Sequence, residues 1–256
     1  MRILFTTDVH GHMDVYKAFA EKLKDFDIGV LAGDLMEEFI PLDDAIIYNL
    51  KDKDLIEELH DENYDEVKEL DKAIRKALHD RTSINRVGLE RKREEIIGIL
   101  ESAQRNIYYI RGNHDIADWG NTKYLTNIEN RKIVFDELSI YGIKDEFRLA
   151  VSKFRFSNKV ADNVDRKTIL VCHSPPYKIM DTTKMVRRKD HRIILDHVGS
   201  KKILKLINKK HPMFCLCGHV HEGIGIYGSI VNGGCYRHRK FIAIDTETKE
   251  IRYVEY

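Results

Sequence analysis

The amino-acid sequence predicts an α/β fold of two packed mixed β-sheets flanked by helices, with a helical insertion. Three observations carry that expectation. Runs of β-branched and aromatic residues bounded by glycine recur as RILFTT, IGVLAG, IYYIRG, TILVC and MFCLCG, and such runs read as buried strands. Between the first two, Val15 to Leu23 has the apolar spacing of a short amphipathic helix, so the chain opens β-helix-β, an arrangement that favours parallel strands. Each of the five runs ends in a polar cluster, the place where open α/β sheets put their ligands.

Further strands are predicted at Ile133 to Phe135, Leu138 to Ile143, Thr168 to Cys172, Met213 to Leu216 and Ser229 to Asn232. The closing segment FIAIDTETKEIRYVEY reads as two strands joined by a polar turn. About nine strands suit two packed sheets better than one. The stretch from about Asp43 to Ser102 contains no proline, is dense in charge and repeats apolar residues helically, as in Val67, Leu70, Ile74 and Leu78. It is expected to form a helical insertion at about 43–102 within a single domain of residues 1–256, serving as a cap over the site, as crossover helices, or as the contact of a homo-oligomer.

A chain of 256 residues and 30.0 kDa is large enough for one substantial core. Lys and Arg number 43 against 42 Asp and Glu, so no global basic field exists to drive unspecific nucleic-acid binding. No run is long and apolar enough to span a bilayer, and MRILFTTDVHG has no secretory cleavage pattern; a cytoplasmic protein without a membrane partner is expected. Cys172, Cys215, Cys217 and Cys235 show neither a C-x-x-C pair nor disulfide-framework spacing and read as small core residues.

The polar clusters are Asp8 and His10; Asp34; Asn113 and His114; His173; and His219 with His221. Singly each has an ordinary structural reading. Asp8-x-His10 fits any polar strand end, Gly33-Asp34 a turn with a helix cap, and His173 a satisfied buried imidazole. Gly218-His219-x-His221 is more specific, because residues two apart in an extended segment face the same side. If the clusters converge, they offer carboxylate, amide and imidazole donors without thiolate, a set suited to Mn²⁺, with Fe or Zn²⁺ as alternatives.

In chain order the clusters read D-x-H, G-D, G-N-H-D, H, G-H-x-H, and from Met1 to about Gly234 this order resembles the calcineurin-like metallophosphoesterase superfamily. The resemblance implies two face-to-face sheets flanked by helices. It also implies two divalent ions as cofactors, the first held by Asp8, His10, Asp34 and His221 and the second by Asp34, Asn113, His173 and His219. Asp34 would bridge them. Two cations about 3.5 to 4 Å apart neutralise an anionic phosphate ester and acidify a bridging water, and the resulting hydroxide attacks in line. His114 would be the general acid or a phosphate contact.

Asp115 and Glu37 are candidates for the acid that orients the catalytic histidine, and Arg111 for holding phosphate. Gly33-Asp34 continues as Leu35-Met36-Glu37-Glu38 where the phosphoprotein phosphatases carry an arginine, which argues against a phosphoprotein substrate. His12 and the basic stretch Lys184 to Arg192 would attract a phosphate or nucleotide, unless that stretch is a solvated loop. The expected reaction is phosphodiester hydrolysis on a small or nucleotide-like ester. A metal-dependent nuclease is the alternative, less favoured at this net charge, and a non-catalytic scaffold conflicts with a full set of ligand positions.

Overall fold

The computed structural model describes residues 1–36, 88–115, 117–144, 158–187 and 192–256. Two six-stranded sheets and a separate two-stranded hairpin make up the β-structure of these residues. In the first sheet β1 (Arg2–Thr6), β2 (Ile28–Ala32), β3 (Asn106–Ile110) and β4 (Leu125–Asn127) run parallel, and β13 (Lys240–Asp245) with β14 (Ile251–Glu255) extends it antiparallel from β1. The second sheet holds β6 (Leu138–Gly142), β7 (Thr168–Val171), β10 (Phe214–Cys217) and β12 (Ile230–Asn232) in parallel, edged by antiparallel β5 (Lys132–Phe135) and β11 (Gly225–Tyr227). The two packed mixed sheets expected from the sequence are therefore present.

Alternation along each strand decides which residues lie between the sheets. Ile3, Phe5, Ile28, Val30, Tyr108 and Ile110 from the first sheet pack with Ile140, Ile169, Val171, Phe214, Leu216 and Val231 from the second. Burial of each such side chain contributes roughly 1.5–3 kcal/mol. The opposite faces take the helices. Helix α1 (Met13–Leu23) buries Val15, Tyr16, Phe19, Ala20 and Leu23, and Phe19 and Leu23 lie over the bare backbone of Gly29 in β2. On the far side, helix Lys201–Lys210 packs Ile203, Leu206 and Ile207 against Tyr141, Leu170, Cys172, Cys215 and Cys217. Ser200 caps this helix by accepting from the Ile203 N–H at 3.2 Å. All four cysteines are buried, as free thiols.

Four strands were not anticipated. β4 and β11 have three residues each, too few for a periodic signal. β8 (Thr182–Arg187) and β9 (Arg192–His197) pair antiparallel, so the basic stretch, for which a solvated loop was one expectation, lies partly in strands. The described part of the insertion, residues 88–101, is helical, while 43–87, with Val67, Leu70, Ile74 and Leu78, lies outside the described residues. The chain divides into two compact units, Met1–Glu37 with Glu95–Tyr256, and Glu38–Glu94. No helix among the described residues is long and apolar enough to cross a membrane.

Candidate metal centre

Asp8 follows β1, Asp34 follows β2, Asn113 and His114 follow β3, His173 follows β7, and His219 with His221 follows β10. All five clusters thus leave carboxyl ends of parallel strands, from both sheets. Asp8, His10, Asp34 and His219 adopt left-handed backbone, with φ of 51°, 50°, 50° and 67°. For residues with a Cβ this costs on the order of 1–3 kcal/mol each and persists only where surrounding bonds enforce it. Here Asp8 N–H donates to Gly33 O (3.0 Å), His10 N–H to Asp34 O (2.9 Å) and Gly11 N–H to Leu35 O (2.8 Å), lacing the first two loops together. The motif glycines are set by space. A Cβ on Gly112 would strike the carboxylate and backbone nitrogen of Asp34, and one on Gly218 would strike Thr7 and the Asp8 carboxylate.

Two donor groups result, Asp8 with His10 and His221, and Asp34 with His173 and His219; within each, the donor atoms lie within 4.8 Å of one another. In the first, Asp8 Oδ2 accepts from the Thr7 hydroxyl (2.6 Å) and the His219 N–H (2.9 Å). Its Oδ1 is buried without a hydrogen bond, although His221 Nε2 is 3.2 Å away, and His10 Nε2 lies 3.3 Å from His221 Nε2. In the second, His173 Nδ1 donates to Ala32 O at 2.8 Å, which leaves the Nε2 lone pair directed at oxygen. That Nε2 meets Asn113 Oδ1 at 2.9 Å and Asp34 Oδ2 at 3.2 Å, and His219 Nδ1 meets the same amide oxygen at 2.9 Å. Nitrogen and oxygen donors crowded together in a buried site repel unless a cation, a proton or a metal ion, lies between them. The donor set therefore fits a divalent ion at each group.

Electrostatics separates the groups. Burial pushes the Asp34 carboxyl up, but adjacent His173, by charge and hydrogen bond, outweighs it and holds the carboxyl well below the usual range. Burial, reinforced by His173, lowers His219 to about 4, and burial also lowers His10. His221 goes the other way, raised to about 10 by the adjacent Asp8 carboxylate, 3.2 Å from its Nε2, and by Cys235. A metal ligand must be unprotonated, so an ion entering the first group has to displace the His221 proton, whereas His219 carries none at neutral pH. Calorimetry in buffers of differing ionisation enthalpy is expected to show about one proton released from His221 near pH 7.5, with apparent affinity rising roughly tenfold per pH unit. Affinity independent of pH between 6.5 and 8.5 would contradict this.

His114 lies at the mouth. Its backbone N–H donates to Asp34 Oδ1 (2.8 Å), its side chain is 31% exposed, and its Nε2 lies 4.0 Å from Asp34 Oδ2. Its Nδ1 is buried with no hydrogen-bond partner. Asp115 sits beneath the centre, and its contacts are with backbone rather than with the His114 ring. Its Oδ1 accepts from Met36 N–H (2.8 Å), and its Oδ2 from Gly112 N–H (2.9 Å) and Leu35 N–H (3.1 Å). Burial, helped by the nearby Asp34 charge, pushes its carboxyl up to about 7. Arg111 is paired through Nε and a terminal nitrogen with both oxygens of Glu129, at 2.9 and 2.8 Å. Glu37 lies outside the described residues.

Sequence reasoning missed several supports. Thr7 fixes Asp8, and Glu129 holds Arg111. Asn232 donates to Val220 O at 3.2 Å and accepts from Gly234 N–H at 2.8 Å, bracing the loop that carries His219 and His221. The signal available for it was the strand ending Asn232-Gly233-Gly234, an abrupt turn of unused purpose.

Residues 1–223 match the calcineurin-like phosphoesterase family. No curated protein matches the sequence. Among solved structures, TT1561 of Thermus thermophilus aligns over 99% of this chain and 98% of its own, at 14% identity and a TM-score of 0.54. A second solved structure aligns over the same shares, 99% and 98%, at 14% identity and a TM-score of 0.65. At that identity the likeness concerns the fold alone. With the family matched over most of its length and two ligand groups at the sheet ends, the chain belongs to the calcineurin-like phosphoesterases and is a metal-dependent hydrolase of phosphate esters.

Proposed function

We propose that the protein is a dinuclear phosphodiesterase acting on a small or nucleotide-like ester. The observation that carries this reading is the pair of adjacent donor groups in which buried oxygen and nitrogen lone pairs converge. Asp8, His10 and His221 would hold one ion and Asn113, His173 and His219 the other. Asp34 would bridge them, in keeping with its charge acting on both His10 and His219. When bound, two such ions supply positive charge for the phosphoryl oxygens and acidify water near neutral pH. Mn²⁺ is the proposed metal on donor chemistry, with Fe and Zn²⁺ as alternatives.

The remaining work falls to the chain's own side chains. His114, partly exposed at the mouth, gives its proton to the departing alkoxide oxygen or contacts the phosphate. Asp115 and Arg111 position the loops: Asp115 ties the Asp34 loop to Gly112, and the Arg111–Glu129 pair secures the end of β3. The insertion would form a cap or a contact with a second copy, and the protein would work in the cytoplasm.

A panel of bis-p-nitrophenyl phosphate, phosphomonoesters, cyclic nucleotides, dinucleotides and oligonucleotides, assayed with Mn²⁺, Fe²⁺ and Zn²⁺, tests the reading. Diesters are expected to be cleaved fastest, and chelation is expected to abolish turnover. Chelation should also lower Tm, because an ion at 100 times its Kd stabilises by about 2.7 kcal/mol per site. Salt-sensitive cleavage confined to DNA would replace the proposal with a nuclease.

A further inference from the structure

Beside the first ligand group lies an aromatic and cationic cluster that the chemistry above does not use. The Tyr236 N–H donates to Asp8 O (3.3 Å) and Tyr256 Oη donates to Tyr236 O (3.2 Å), so the backbone of Tyr236 is tied to the ligand loop. Its ring meets the ring of His10 edge-on, with centroids 6.1 Å apart at 76°, and is stacked on His12 at 3.7 Å and 19°. His12 stands at the start of helix α1 without capping it, and its ring nitrogens make no hydrogen bond among the described residues. Arg237, exposed, donates from Nε to the Tyr236 hydroxyl at 3.1 Å, with its guanidinium carbon 5.5 Å from the ring centroid. Its terminal nitrogens make no hydrogen bond among the described residues, and the Glu222 charge reaches it.

A partly exposed imidazole, stacked yet unbonded, and an arginine held only through Nε are recognition groups that the fold does not itself consume. Planar stacks accept a further planar ring, and a guanidinium anchored at Nε presents its other donors to carbonyl or phosphate oxygen. We infer that His12, Tyr236 and Arg237 form the subsite for the nucleoside part of the ester, the base extending the His12–Tyr236 stack while Arg237 contacts its polar edge or a second phosphate. This inference rests on the phosphoester site proposed above and names the substrate class that the site selects.

The probes are an adenosine 5′-phosphonate and methylphosphonate, neither hydrolysable at the C–P bond, titrated calorimetrically into the Mn²⁺-loaded full chain. Methylphosphonate reports the shared centre, and the ratio of the two affinities reports the subsite. The adenosine compound is expected to bind at least about tenfold tighter, the scale of one base stacked on an aromatic side chain. Tyr236→Leu is expected to erase most of that ratio, and Tyr236→Phe, which keeps the stack but removes the anchor of Arg237, and Arg237→Gln each to lower it severalfold, with methylphosphonate affinity and metal content unchanged. Equal affinities in the unmodified protein would overturn the subsite while leaving the phosphoester centre standing. Failure of methylphosphonate to bind would overturn the centre and the subsite together. The ratio in the unmodified protein decides the matter even if Tyr236→Leu folds poorly, and Arg237→Gln, at an exposed position, supplies the second variant.

Discussion

Replacing Asp34 with Asn is expected to reduce kcat by at least about 10³-fold, or about 4 kcal/mol of transition-state stabilisation, while the fold survives. The carboxylate is 2% exposed, accepts the His114 N–H through Oδ1, and sets Oδ2 3.2 Å from His173 Nε2. An Asn in the same place keeps the first bond. Its amide then donates to the His173 lone pair, satisfying a nitrogen that otherwise faces oxygen lone pairs. The metal-free variant should therefore melt at or slightly above the temperature of the metal-free parent. What it loses is the negative charge that allows two dications to sit side by side. Metal analysis should fall from close to two ions per chain to one or fewer. A variant that keeps both ions and its full turnover would refute the bridging role.

Removing the Asp115 carboxyl is expected to act mainly on stability and metal affinity. Asp115→Ala strips the acceptors from three N–H groups, those of Leu35, Met36 and Gly112, in a position 1% exposed. Each buried donor left unpaired costs about 1–3 kcal/mol. Part of this is offset, because the carboxylate is itself poorly solvated and faces Asp34, which is why its pKa rises to about 7. A net loss on the order of 3–5 kcal/mol would lower Tm by about 10 °C in a domain of this size. The same bonds set the spacing between Asp34 and Asn113, so metal affinity should fall about 10- to 100-fold while kcat at saturating metal changes far less. Unchanged melting with abolished turnover at saturating metal would instead place Asp115 in the reaction itself.

The two variants separate residues that the sequence presented alike. Asp34 and Asp115 each follow a glycine-bearing strand end, and both are charged, short and flanked by loop residues. One lies among ligand donors and the other beneath them, and no local pattern distinguishes these positions. Arg111 is a similar case. Its place before Gly112 suggested phosphate binding; that it also pairs with Glu129, 18 residues away, is beyond any periodic signal.

Strand identity and order of motifs were legible because alternating and continuous apolar runs answer to local geometry: a strand buried on both faces reads as a near-continuous apolar run, as the fully buried β2 and β10 do. The short edge strands were not legible, since three residues are too few for a periodic signal and their pairing depends on neighbours distant in sequence. The subsite formed by His12 and Tyr236 belongs to the same class, joining residues 224 positions apart through ring stacking alone.

By itself the sequence determined the α/β class, the strands that carry the donors and which side chains have metal-ligating chemistry, because those properties reside in residue type and spacing. The tertiary structure alone decided how the donors divide into two groups, why His221 is raised while His219 is lowered, and which carboxylate stands among the donors. Those outcomes are set by distance and burial, which arise only when the ends of two sheets are brought together.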